Sequence, residues 1–153
     1  MAEPAVQLET EPQQDRLLLR TMMHAYCWMD DGLQAYMRRE AGFSLPRAQS
    51  MIMVCLSDGI VSQSELAQRL QVSKQAIQQA LRSMVKKGMV TIDPDPLDGR
   101  QRVVRVTPQG EAMRDIARRG IAQLQDDLGR RIGAERLEAL HDALNVDWGP
   151  VPE

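Results

Sequence analysis

Aromatic residues are nearly missing: the 153-residue chain holds two tryptophans, two tyrosines and one phenylalanine. Its apolar share of 43% is therefore mostly Leu, Ala, Val, Ile and Met, a mixture that suits packed helices better than a β-sandwich. Cysteine is equally scarce. Cys27 and Cys55 are too few and too far apart for a disulfide framework, and no Cys/His cluster has zinc-ligand spacing, so a reducing cytoplasm is expected and no cofactor is implied. The opening "MAEPAVQLETEPQQD" lacks a basic segment followed by an apolar run, and no apolar stretch reaches membrane-spanning length. Neither secretion nor membrane insertion is expected. A glycine-rich phosphate loop and a nucleophile paired with a base are also missing, and the two histidines stand alone, which argues against an enzyme.

What is present is an uneven charge distribution. Residues 1–61 carry five Lys/Arg against eight Asp/Glu, residues 62–107 eight against four, and residues 108–153 six against nine. A basic middle between acidic arms marks a polyanion-binding segment in a water-soluble scaffold. A basic face that is merely solvated has the same composition.

The periodicity divides the chain further. Residues 1–14 are polar and aperiodic, and read as a flexible N-terminus. From Asp15 to Glu40 an amphipathic helix sets Leu18, Met22, Met29, Leu33 and Tyr36 against Arg16, Arg20, His24, Asp31, Gln34 and Arg38. Asp30-Asp31 and Asp126-Asp127 read as solvated helix faces. After Gly42 and Pro46, "RAQSMIMVCLSDG" predicts a second helix, apolar nearly all round and so buried. Ser62 and Glu65 have capping-box spacing at a short third helix with Leu66, Ala67 and Leu70 on one face. Ser73 caps a fourth helix that turns Ile77, Ala80, Leu81 and Met84 inward and ends at Lys86, Lys87 and Gly88. "MVTID" and "RVVRVT" predict a hairpin with the stiff charged tip "PDPLDGRQ". Thr107 and Pro108 start a long helix to about Ile132, and a last helix runs from Ala134 to about Asn145 before an irregular tail at 148–153.

The segments "SQSELAQRLQVSKQAIQQALRSMVKKGMV" and "DPLDGRQRVVRVTPQG" resemble the MarR family of winged-helix transcriptional regulators, over roughly Leu45 to Gly110. The leucine spacing, the "KKG" helix end, the D-x-R of the wing and the "TPQG" helix start occur together and in order. The expected fold is mostly α, with a winged helix-turn-helix (three helices plus a β-hairpin wing, residues 45–107) inserted between long dimerisation helices at 15–44 and 108–147. In a helix-turn-helix the second helix lies in the major groove of double-stranded DNA. Its outward positions here are Ser73, Lys74, Gln75, Gln78, Gln79 and Arg82. Glutamine pairs bidentately with adenine, so A-containing half-sites are expected, while Lys74 and Arg82 can reach guanine or phosphate. Family members often carry a basic residue where this chain has Gln79. Ser62 and Ser64 open the helix that crosses the DNA backbone, as phosphate contacts or as simple caps. The resemblance implies that Asp98 braces the wing and Arg100 enters the minor groove; of the strand arginines, Arg102 is favoured as a DNA contact over Arg105.

The resemblance also implies a homodimer on a pseudo-palindromic operator, acting as a repressor and released by a small effector such as an aromatic carboxylic acid. Candidate effector residues are His24, Trp28 and Tyr36 with Arg47, Met51 and Cys55. Each has a plainer reading: solvated for His24 and Arg47, packing for the others. Two alternatives to the ligand-released repressor stay open. One is a protein-binding winged helix, and the other a thiol-based sensor using Cys27, although Asp30 and Asp31 beside it disfavour a thiolate.

Overall fold

The computed structural model describes residues 17–152; the expected flexible segment 1–14, with Asp15 and Arg16 of the first helix, lies outside them. The elements are α1 (Leu18–Ala41), α2 (Arg47–Ser57), α3 (Gln63–Arg69), α4 (Lys74–Lys86), β1 (Val90–Pro94), β2 (Arg102–Val106), α5 (Pro108–Ile132) and α6 (Ala134–Asn145). This is the expected mostly helical winged helix between long helices. α1 stops where Gly42 adopts φ 70° and its N–H returns to the Arg38 carbonyl, a left-handed turn that glycine makes without Cβ strain. Ser73 Oγ accepts from Ala76 N at 3.1 Å and caps α4.

The core lies where α2, α3, α4 and the hairpin converge. Ile52, Leu66, Leu81, Met84 and Met89 are completely buried there, with Ile77, Val90 and Val104 nearly so. Met37 is the plug that α1 drives into the same core. The strands pair antiparallel from Val90 opposite Val106 to Pro94 opposite Arg102, which puts Val90 and Val104 inward. Val104 N also donates to Val61 O at 2.9 Å, so a short third strand-like contact holds the wing to the start of α3.

That contact corrects the capping-box expectation. Ser62 is the N-cap residue of α3, but its hydroxyl makes no cap bond; its extended backbone pairs with Val103 of the wing instead. A second correction concerns α1. Gln34 and Asp30, expected on solvated faces, are each only 8% exposed, because the start of α2 folds across them. Val54 departs from the buried second helix and is exposed at the lip of a cavity.

α5 is rooted firmly in the winged helix. Thr107 Oγ accepts from Gly110 N at 2.9 Å and donates to Gly88 O at 2.6 Å. Gly110 packs so closely that a Cβ there would lie 2.1 Å from the Met89 carbonyl oxygen. Beyond this root α5 runs along α1, and Gly120 lets the Tyr36 ring sit against its backbone. α6 has no buried residue, and Leu140 and Leu144 stay exposed, as do Leu17, Leu18, Leu19 and Met23 at the start of α1. Gly110→Ala is expected to destabilise the fold by about 3 kcal/mol, since the clash is with backbone; a denaturant midpoint within error of the parent would contradict the packing.

Candidate nucleic-acid interface

The reading face is set by what α4 buries. Ile77, Leu81 and Met84 face the core, and the helical period then turns Lys74, Gln75, Gln78, Gln79 and Arg82 to solvent. None of these five side chains has a hydrogen-bond or ion-pair partner among the described residues. Ser73 is different: its hydroxyl is engaged as the cap.

The wing tip is braced before any ligand arrives. Asp98 Oδ1 accepts from Arg100 N at 3.1 Å and Oδ2 from Gln101 Nε2 at 3.2 Å. Asp95 Oδ1 accepts from Leu97 N at 2.8 Å, while Asp95 N donates to Gln101 O at 2.9 Å. With Pro94 and Pro96 limiting the backbone, the loop has few conformations left to lose. Asp98 therefore holds the Arg100 backbone and leaves its guanidinium free to engage a partner. Arg105 lies across the hairpin with its Nε 3.8 Å from Asp93 Oδ2.

α3, α4 and the wing meet in a cleft of about 310 Å³ lined by Ser62, Gln63, Ser64, Lys74, Gln78, Arg100, Gln101 and Arg102. The structure thus gathers Ser62, Ser64, Lys74, Gln78, Arg100 and Arg102 into one concavity, with Gln75, Gln79 and Arg82 continuing the exposed face of α4. Gln63 and Gln101 were missed; their one sequence signal is their position beside Ser62 and Arg100. Three cations, two hydroxyls and several amides at one cleft suit a polyanion whose phosphates and base edges are contacted together.

Residues 43–101 match the family profile described as MarR family. Over that stretch the chain is similar to the MarR family. It is 40% identical over 57 residues to the transcriptional regulator AdcR of Streptococcus pneumoniae, a match that covers 37% of this chain and 39% of that relative's length. Among solved structures, the apo form of wild-type MarR from E. coli is 25% identical with TM-score 0.67, covering 83% of this chain and 93% of that one. A structure described as the transcriptional repressor CouR bound to a 23-mer DNA duplex has TM-score 0.68 at 19% identity, covering 94% and 96%. At that identity the likeness is one of fold.

The residues expected to hold an effector lie in separate surroundings. His24 is exposed on α1. Trp28 lies under Arg131 of α5, 5.7 Å from guanidinium carbon to ring centroid; Tyr36 packs on Gly120 and beneath Arg39. Arg47 is held by Asp30 at 2.8 Å and stands over the Tyr26 ring. Met51 is half-buried. Cys55 is 4% exposed, and burial pushes its thiol pKa up, which leaves it unreactive.

A different set lines an apolar cavity of about 170 Å³ between α1, α2 and α5: Leu33, Met37, Leu45, Met53, Met89 and Met113 among others, with Arg114 at its wall. Arg114 Nη1 is bonded to Glu111 at 2.9 Å, but Nε and Nη2 are buried without a partner among the described residues. Arg114 went unnoticed in the sequence, although it sits on the same stripe as Gly110, Ala117 and Ile121, where a charge is out of place. Arg100→Ala is expected to weaken binding to the DNA flanking the protein's own gene by roughly tenfold or more while leaving thermal unfolding unchanged. Arg105→Ala should change it by less than about threefold, and equal losses in an anisotropy titration at fixed salt would contradict this division.

Proposed function

We propose that the protein is a sequence-specific double-stranded DNA-binding transcriptional regulator, a cytoplasmic homodimer that represses its promoter until a small apolar acid releases it. The observation that carries this reading is the cleft shared by α3, α4 and the wing, where the side chains of Lys74, Arg100 and Arg102 have no partner among the described residues. α4 enters the major groove, with Gln75, Gln78 and Gln79 offering bidentate pairing to adenine and Arg82 reaching guanine or phosphate. Arg100 inserts into the adjacent minor groove, where a narrow A·T tract concentrates negative potential. Ser62, Ser64, Ser73 and Arg102 contact the backbone, and Asp98 keeps the wing in shape.

One such head reads too little sequence for a genomic address. Two heads related by a two-fold axis read half-sites about 34 Å apart. The arms at 15–44 and 108–147 supply the means, because the exposed leucines of α1 and α6 need a covering surface. Among the described residues no helix is long and apolar enough to cross a membrane. Occupancy of a promoter blocks polymerase, which makes repression the simplest outcome, and CouR is itself described as a repressor.

For the effector, the cavity beside Arg114 replaces the set around His24 and Trp28. A half-buried guanidinium with two buried unmet donors favours a carboxylate, and an apolar cavity of about 170 Å³ admits little more than one ring, since about 150 Å³ holds benzene. A ligand shifts the dimer only by binding one head spacing better than the other.

The test is a salt-dependent titration against the DNA flanking the gene, repeated with benzoate and other one-ring carboxylates. Sequence-specific binding whose affinity falls steeply with salt supports the regulator; no affinity for any fragment would make the fold a protein-binding module instead. Arg114→Gln should raise the benzoate concentration needed for release by roughly tenfold or more, and an unchanged dose response would move the effector elsewhere.

A further inference from the structure

Besides the apolar Met37 plug, two hydrogen-bonded attachments among the described residues join the winged helix to the helical arm. One is the root of α5, where Thr107 and Gly110 lock onto Gly88 and Met89. The other is a polar network between α1 and the start of α2. Gln34 Oε1 accepts from Leu45 N at 2.7 Å, and its Nε2 donates to Ser50 Oγ at 3.1 Å and Asp30 Oδ1 at 3.3 Å. Arg47 Nε donates to Asp30 Oδ2 at 2.8 Å, and Nη2 to Asp31 at 3.3 Å.

We infer that this second attachment is a latch that fixes the angle of each head on its arm, and with it the spacing of the two heads in the dimer. The inference rests on the DNA-binding dimer reading above. Asp30 and Gln34 are buried, and a buried carboxylate or amide is tolerated only while its partners are in place. Hydrogen bonds are directional, so all of these are satisfied together at one helix angle. A leucine contact in the same position would let α2 tilt or slide with little change in energy. The root of α5 gives a fixed pivot, and the latch stops rotation about it. Leu45 and Ser50, both bonded to Gln34, also line the cavity beside Arg114, so an occupant there presses on the latch directly. Gln34, Asp30 and Arg47 are thus positioning residues, remote from the DNA.

The test uses the full-length protein and duplexes carrying two half-sites at the native separation, or with one or two base pairs added or removed. Each added pair moves a half-site by about 3.4 Å and a tenth of a turn. Wild type should lose about tenfold or more in affinity per inserted pair, as simultaneous engagement is lost. Gln34→Leu should bind the native duplex within about fivefold of wild type yet lose less than about threefold on insertion. Asp30→Asn, which keeps the packing, should flatten the profile in the same direction and remains informative if Gln34→Leu does not fold. Spacing profiles as steep as wild type in folded variants would overturn the latch, as would a loss on a single half-site equal to that on the full operator. If wild type bound no duplex, the regulator reading itself would fall, an outcome distinct from either.

Discussion

Burial of one side of α4 is the constraint on which the rest depends. Ile77, Leu81 and Met84 are held at 0–2% exposure between α2, α3 and the hairpin, and deleting such a side chain costs about 2–5 kcal/mol. Because the helix cannot rotate without exposing them, Lys74, Gln75, Gln78, Gln79 and Arg82 have only one direction in which to point. The same core holds Val90 and Val104 of the wing. The proposed groove-reading helix and the arginine-bearing tip are therefore positioned by a single packed cluster.

Around this cluster the polar groups divide into those already satisfied and those left open. Asp98, Asp95, Thr107 and Ser73 spend their hydrogen bonds on the backbone and make the wing, the α5 root and the α4 start rigid. Lys74, Arg100 and Arg102 are left open at the cleft, and Arg114 Nε and Nη2 in the cavity. Open donors on a preorganised frame can engage a partner without the cost of first ordering the site. The exposed leucines of α1 and α6 are the apolar counterpart, the surface proposed above to meet a second copy.

Much of the fold was legible in the sequence because its signals are local. The helix caps at Ser73 and Thr107, the Gly88 stop and the Pro108 start are set within four residues of themselves, and the helix and strand periods of α4, β1 and β2 show which side is apolar. The D-x-R tip is different, since only its resemblance to the MarR family pointed to roles for Asp98 and Arg100. Illegible were the features whose partners lie far along the chain. Asp30 and Gln34 sit on a stripe that looks solvated, and only Leu45, Arg47 and Ser50, 11 to 17 residues away, bury them. Ser62 had a convincing local partner in Glu65, yet pairing with Val103 claimed its backbone. The cavity beside Arg114 forms where three helices meet, which no single-helix period reveals.

The central claim is that α4 and the braced wing engage adjacent grooves of one DNA duplex as a unit, twice per dimer. A hydroxyl-radical footprint on the DNA flanking the gene tests it most directly. The account predicts two protected patches with centres about one helical turn apart, each flanked by minor-groove protection that disappears in Arg100→Ala while the centres persist. A single protected patch, or flanks that survive the loss of Arg100, would contradict it.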